Sequence, residues 1–86
     1  MPEISRFFGI IVRMFYNDHA PPHFHAVYGG AEAQIGISPI RVLNGKLPRR
    51  ALSMVFEWAA LQQQELLRDW ELAAQELPLQ FIDPLE

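Results

Sequence analysis

The spacing of apolar residues changes once along the chain. Up to residue 47, apolar residues form short runs or alternate with polar ones, a pattern typical of β-strands. From Pro48 onward they recur at intervals of three, four and seven residues, which is typical of an amphipathic helix. We therefore expect an α+β fold in which a small antiparallel sheet precedes the helical part and packs against it through one face.

The first half of the chain predicts three to four strands. Two glycines separate the runs His23–Tyr28 and Ala31–Ile37, and such a turn is typical of a β-hairpin because both turn positions take positive φ. Residues 9–16 are rich in β-branched and aromatic side chains and predict another strand. Residues 40–43 predict a short fourth strand, which a turn at Asn44-Gly45 would close.

The second half predicts one long helix or two shorter ones. Pro48 suits the first helical position, and neither glycine nor proline interrupts residues 49–76. A single helix of that length is unusual in so short a chain, so a bend near residues 61–64 is the open alternative. Pro78 ends the helical pattern, and residues 79–85 predict an extended tail.

The composition indicates one folded, cysteine-free domain. Half of the 86 residues are hydrophobic and 12% are aromatic, which is enough for a core, and the length allows a single domain over residues 1–86. The lack of cysteine excludes disulfides and thiolate metal sites and fits a reducing compartment. We see neither a signal peptide nor an apolar span long enough for a bilayer, so we expect a cytoplasmic protein without a membrane partner.

Charge is divided unevenly between the two halves. Residues 1–50 carry six basic and three acidic side chains, whereas residues 51–86 carry one basic and seven acidic side chains. All three histidines lie in the basic half. This asymmetry leaves two alternatives open: an anionic partner such as nucleic acid for the basic half, or simply a solvated acidic helix surface.

The hairpin register predicts the direction of two histidines. If Gly29-Gly30 is a two-residue turn, Tyr28 pairs with Ala31, and the pairs continue outward to His23 opposite Gly36. Because side chains alternate across a strand, one face becomes apolar and the other polar. The apolar face, which should meet the helices, carries Phe24, Ala26, Tyr28, Ala31, Ala33, Ile35 and Ile37. The open face carries His23, His25, Val27, Glu32, Gln34 and Gly36.

One chemistry that this polar face suggests is metal binding. The candidate ligands are Asp18, His19, His23 and His25. Two histidines at a spacing of two on a strand can share one ion. A nearby carboxylate completes a nitrogen–oxygen set suited to zinc or another divalent ion.

Metal-free acid–base catalysis is a second hypothesis for the same face. His23 and His25 are the candidate proton carriers, and Glu32 stands on the neighbouring strand. Arg13 joins the face if the preceding strand pairs with theirs, where it would stabilise phosphate charge. A third alternative is structural: the histidines bond backbone groups around the stiff two-proline loop and have no chemical role.

Further candidates lie at the start of the helical part and on it. Lys46, Arg49 and Arg50 gather at the helix start, where they suit a phosphate or the acidic residues of a partner. Trp58 lies beside the apolar stripe, so we expect it at the rim of the core or against a partner. Trp70 belongs to the stripe itself.

Several of these segments together resemble the domain of unknown function 4160 family. The most specific is Asp18-His19-Ala20-Pro21-Pro22-His23-Phe24-His25-Ala26. The others are residues 4–10, 28–30 and 47–52, which include Arg49 and Arg50, together with residues 57–59, residues 65–67 and Trp70. The resemblance covers nearly the whole chain, and it identifies the protein with small bacterial and archaeal proteins.

The resemblance implies a partner more than a chemistry, because the family is named for having no assigned activity. Genes of the family often stand beside one for another small uncharacterised domain, an arrangement similar to toxin–antitoxin pairs. It therefore implies an interaction module whose partner is a small protein encoded by a neighbouring gene. The histidine face would then be the active site of a small toxin or a docking surface. The alternative is a metal-dependent or acid–base hydrolase of nuclease type, and a homodimer is also open.

Overall fold

The chain folds as a meander of strands followed by helices. The structure is a computed structural model that describes residues 2–86. Within them, one antiparallel sheet is built in sequence order from β1 (Glu3–Phe7), β2 (Ile10–Arg13), β3 (His23–Tyr28), β4 (Ala31–Ile37) and β5 (Ile40–Gly45). Two helices follow, α1 (Arg49–Leu61) and α2 (Gln63–Ala74). The α+β class and the order of strands before helices are confirmed.

The sheet has one strand more than the three to four expected. Phe8 and Gly9, with φ of 50° and 80°, form a two-residue turn, and Phe7 pairs with Ile10 across it. The strand predicted over residues 9–16 therefore starts after this turn and is shorter. Apolar residues run through the turn from Phe7 to Val12, and phenylalanine is not a turn residue, so the apolar pattern hides the boundary between β1 and β2.

The predicted pairing of β3 with β4 is confirmed residue by residue, from Tyr28 opposite Ala31 to His23 opposite Gly36. On the apolar face of this hairpin, Phe24, Ala26, Ala33, Ile35 and Ile37 lie in the core, as expected. Tyr28, which was expected there too, is exposed beside the turn. The expected turn at Asn44-Gly45 is wrong, because both residues belong to β5. Gly45 has φ of 74°, and a Cβ there would overlap the carbonyl oxygen of Glu32, so only glycine fits this close approach of the strands.

The helical part is broken into two helices, as one of the two alternatives predicts. The break is at Gln62, with φ of −113° and ψ of 22°, although its N–H still donates to the carbonyl of Trp58 at 2.9 Å. The side chain of Gln63 donates to the carbonyl of Ile37 at 2.7 Å, which ties the break to the end of β4. Pro48 is the N-cap residue of α1, one position before the first helical position that was predicted for it. Among residues 2–86, neither helix is long and apolar enough to cross a membrane.

Trp58 lies at the centre of the core, so the expectation that it lies at the rim is wrong. Its side chain is fully buried, 5.2 Å from the ring of Phe7 and edge-to-face on Phe24 at 5.7 Å. The tail returns over α1, where the indole N–H donates to the carbonyl of Asp83 at 2.8 Å. The buried Ile82 bonds through its N–H to the outer edge of β1. The helical pattern alone contains no information about this return of the chain.

Asp69 is a buried carboxylate on α2. Its Oδ1 accepts the N–H of Gln80 at 3.0 Å, but Oδ2 has no hydrogen-bond partner in the part of the chain that the structure describes. Burial raises the pKa of Asp69 above its ordinary value of 3.8, against the smaller opposing effects of the Gln80 N–H and of Arg68. The ionised carboxylate therefore destabilises the folded state.

We expect Asp69→Asn to remove a pH-dependent loss of stability. Because the folded-state pKa is raised, the wild type has no penalty below the unfolded value of about 3.8 and loses stability as the pH rises through the folded value. The variant has no ionisable group at position 69. The difference in unfolding free energy between variant and wild type should therefore grow between the unfolded and the folded pKa of Asp69 and stay constant at higher pH. Urea unfolding at a series of pH values measures it. A difference that does not change with pH would contradict the prediction.

Phe8 adopts a backbone conformation that is unfavourable for a bulky residue, and its ring is 59% exposed. Asparagine is preferred at this turn position. We expect Phe8→Asn to raise the free energy of unfolding by about 1 kcal/mol. Phe8→Ala, which removes the same ring without favouring the turn, should gain less. Urea unfolding compares the two variants, and a loss of stability in the asparagine variant would show that the ring contributes more than the turn costs.

Candidate metal centre

Residues 14–22 form a loop that is held at both ends. The N–H of Asn17 donates to the carbonyl of Ala73 at 3.4 Å, and its side chain bonds Glu76 beyond the end of α2. At the other end, the carbonyl of Pro22 accepts the N–H of Ile37 at 3.1 Å. The loop is therefore fixed between α2 and β4, at the end of the sheet where β3 begins.

The two histidines of β3 are buried at this end of the sheet. His23 is 3% and His25 is 5% exposed. The ring of Phe15 lies 4.1 Å from that of His25, and Trp70 of α2 lies 5.3 Å from His23. The expectation of an open face is wrong for these two side chains, because the loop and α2 cover that end of the sheet.

Asp18 is the residue on which both histidines converge. Its Oδ2 lies 3.0 Å from Nε2 of His23 and 3.4 Å from Nε2 of His25. Its Oδ1 accepts the backbone N–H of His19 at 2.9 Å. Burial by itself raises the pKa of Asp18, but the hydrogen bonds from His25 and from the His19 N–H, together with the charge of His23, outweigh it and lower the pKa. Asp18 is thus a carboxylate at neutral pH.

The second nitrogen of each buried ring also faces an oxygen. Nδ1 of His23 lies 2.7 Å from the carbonyl oxygen of Pro21, and Nδ1 of His25 lies 3.1 Å from Oε2 of Glu32. Carbonyl and carboxylate oxygens only accept hydrogen bonds, so each ring faces an acceptor at both of its nitrogens. A neutral imidazole has one N–H, so in its neutral form each ring can donate to only one of its two acceptors.

The four ring nitrogens therefore face oxygen acceptors with two protons too few. A cation between the two Nε2 atoms and Oδ2 of Asp18 would satisfy the contacts on that side of the rings and leave the single N–H of each ring for Nδ1. Ligand atoms at 2.0–2.2 Å from a tetrahedral zinc ion stand about 3.3–3.6 Å apart. The two contacts of Asp18 with the rings, 3.0 and 3.4 Å, are near this range, and all three candidate ligand atoms lie within 4.8 Å of one another. Metal-bound histidines also typically donate their other N–H to a carbonyl or a carboxylate. Here Nδ1 of His23 faces a carbonyl oxygen and Nδ1 of His25 faces a carboxylate oxygen.

Of the four predicted metal ligands, the structure brings three together. One ligand atom each from Asp18, His23 and His25 lies within 4.8 Å of the others. His19 is outside this group. Its side chain is 88% exposed, and its Nδ1 lies 3.1 Å from Oδ1 of Asp18, the oxygen that does not contact the buried rings. The group could hold one divalent ion with a position left for a further ligand.

The catalytic candidates lie on the same face. Glu32 bonds His25 directly, and Arg13 pairs with His25 across β2 and β3 and is half-buried. Three contributors were not predicted, and one is Trp70, which was expected only in the apolar stripe of the helical part. Phe15 lies two residues after Arg13, so strand alternation alone would have placed it near the histidines. The carbonyl of Pro21 gave no signal, because its direction depends on the fold of the loop.

The candidates for anion or partner binding lie elsewhere. Lys46, Arg49 and Arg50 are all exposed at the start of α1. Trp58 is buried and cannot contact a partner. Arg50 lines a groove together with Phe8, Tyr28, Pro48, Ala51 and Met54.

Residues 9–71 match the sequence model of a family described as a domain of unknown function (DUF4160). The chain belongs to the DUF4160 family. The matched range includes the whole Asp18, His23 and His25 group and extends into α2. A search of curated proteins and a search of solved structures each found no match. The DUF4160 description assigns no chemistry, so the function of this member has to be inferred from its geometry.

Proposed function

We propose that this DUF4160 protein binds a divalent metal ion of the zinc class through Nε2 of His23, Nε2 of His25 and Oδ2 of Asp18. The supporting observation is that all four nitrogens of the two buried rings face oxygen acceptors and that both Nε2 atoms point to one carboxylate. One divalent ion would satisfy the three atoms that converge there.

A metal at this position would also support the fold. Asp18 comes from the loop and both histidines come from β3, so one ion would link the two segments. A chain of 86 residues buries a modest share of its surface, and the free energy of binding to the folded state adds to its stability. The set of two imidazoles and one carboxylate, without thiolates, suits zinc, nickel or manganese.

We expect the untagged protein, purified without chelator, to contain close to one divalent ion per chain. The His23→Ala/His25→Ala double variant should contain none, because two of the three ligands are lost. Elemental analysis measures both. Removing the ion with a chelator should lower the melting temperature of the wild type but not that of the double variant. A wild type that takes up no ion on titration with zinc, nickel or manganese would refute the metal site.

Two matched variants sharpen this test. Glu32→Gln keeps the ligands but weakens the hydrogen bond to His25 Nδ1, so it should lower the affinity for the ion by about 10- to 100-fold. His19→Ala should keep full stoichiometry, because that side chain lies outside the group. If His19→Ala instead lost the ion, His19 would be a fourth ligand and the site would be closed.

A second candidate function, metal-dependent hydrolysis at this ion, is favoured by the number of ligands. Three protein ligands with one open position are typical of catalytic rather than structural zinc. In such sites the ion lowers the pKa of a bound water. Arg13, opposite His25 on the same face, would favour a substrate with a negative charge such as a phosphodiester.

We expect the protein loaded with zinc or manganese to hydrolyse bis(4-nitrophenyl) phosphate and to lose this activity with chelator. Arg13→Gln should lower kcat by about 100-fold, because a charge near the reacting phosphate is lost, while metal content stays the same. Release of 4-nitrophenolate gives the rate. Stoichiometric metal without any turnover of this substrate would reject the hydrolase and leave the metal site standing.

The interaction module implied by the family resemblance stays a prediction. Its partner would be a small protein encoded by a neighbouring gene, and co-purification after co-expression is the direct test. A metal site and a protein partner are compatible, because both histidine ligands are buried and a partner would contact exposed surface. A cytoplasmic location also stays a prediction.

A further inference from the structure

Helix α1 carries a straight stripe of four residues, of which Met54 also packs against the core. The stripe consists of Arg50, Met54, Glu57 and Leu61. Their spacing of four, three and four residues places them along one line of the helix. Arg50, Glu57 and Leu61 are exposed and Met54 is half-buried. Leu61 is 69% exposed, more than any other large apolar side chain among residues 2–86.

The two ends of this stripe carry charges of opposite sign, and each end lies beside exposed apolar side chains. At the start of α1, Arg50 lines a groove with the exposed rings of Phe8 and Tyr28. At the end of α1, Leu61 lines a second groove with residues of the tail. The acidic residues around that second groove are Glu57, Asp83 and Glu86. A cationic, aromatic end and an acidic, aliphatic end thus lie on one helix surface.

We propose that two copies of this chain associate through α1, with the two helices antiparallel about a two-fold axis near Met54. Reversing one helix brings Arg50 of each copy opposite Glu57 of the other, so both charge pairs are satisfied. It also brings Phe8 of each copy towards the Leu61 groove of the other. A surface that complements itself after reversal forms a closed, isologous dimer.

The occupant is inferred to be a second copy because the stripe carries both signs of charge. A partner with an acidic surface would match only the Arg50 end, and one with a basic surface only the Glu57 end. Phe8 occupies a turn position whose positive φ is unfavourable for a phenylalanine. Burial of its ring in a dimer would offset that conformational cost. The dimer is independent of the proposed metal site, whose ligands lie in the 14–22 loop and on β3.

Analytical ultracentrifugation of the untagged full chain over a range of concentrations tests the dimer. The wild type should dimerise, and more weakly at high salt. Arg50→Glu and Glu57→Arg should each raise the dissociation constant at least about tenfold, because by symmetry each places two pairs of like charge in contact. An equimolar mixture of the two variants should restore association, since every pair is again opposite in sign.

Controls separate this surface from charge in general. Arg41→Glu and Glu71→Arg change exposed residues outside the stripe and should leave the dissociation constant unchanged. Phe8→Asn should weaken the dimer, and circular dichroism should show native helix in every variant. A wild type that is monomeric at every concentration, a dimer insensitive to both charge reversals, or a mixture that fails to associate would each overturn the proposal. Metal content, measured in parallel, should not change in any of them.

Discussion

The contact of one Asp18 oxygen with both buried imidazoles constrains the rest of this structure. For Asp18 to reach β3, residues 14–22 must return across the end of the sheet, where Phe15 and Trp70 cover the rings. A buried polar group left without a partner costs roughly 1–3 kcal/mol. The remaining nitrogens therefore require Glu32 and the carbonyl of Pro21 in fixed places. The hydrogen-bond requirements of the two histidines on β3 thus determine the path of the loop.

Strand β3 connects the histidines to the core. Phe24 and Ala26 alternate with the two histidines and are fully buried on the opposite face. Phe24 packs edge-to-face on Trp58 of α1, so the core fixes the register of β3. A slip by one residue would exchange the two faces and bring the imidazoles into the core. The core therefore fixes the positions from which two of the three candidate ligands project, as a precise ligand set requires.

Sequence periodicity predicts what lies within one element or across a tight turn. The β3–β4 register followed from the turn at Gly29-Gly30, and the shared direction of the histidines followed from it. The burial of those histidines did not, because it depends on bonds between distant residues such as Asn17 and Ala73. The predicted position of Trp58 was wrong for the same reason, because Asp83 of the returning tail covers this side chain. Strand β1 was missed because its turn contains a phenylalanine where local chemistry favours asparagine or glycine.

The uneven charge of the sequence does not form one basic surface in the fold. Arg6 is paired with Glu3 through two hydrogen bonds of 2.9 and 2.8 Å, and Arg13 lies on the histidine face of the sheet. Lys46, Arg49 and Arg50 are exposed together at the start of α1. The nucleic-acid alternative stays a prediction. On α1 the division of charge becomes a change of sign along one helix, and a second copy in the reverse direction complements such a helix.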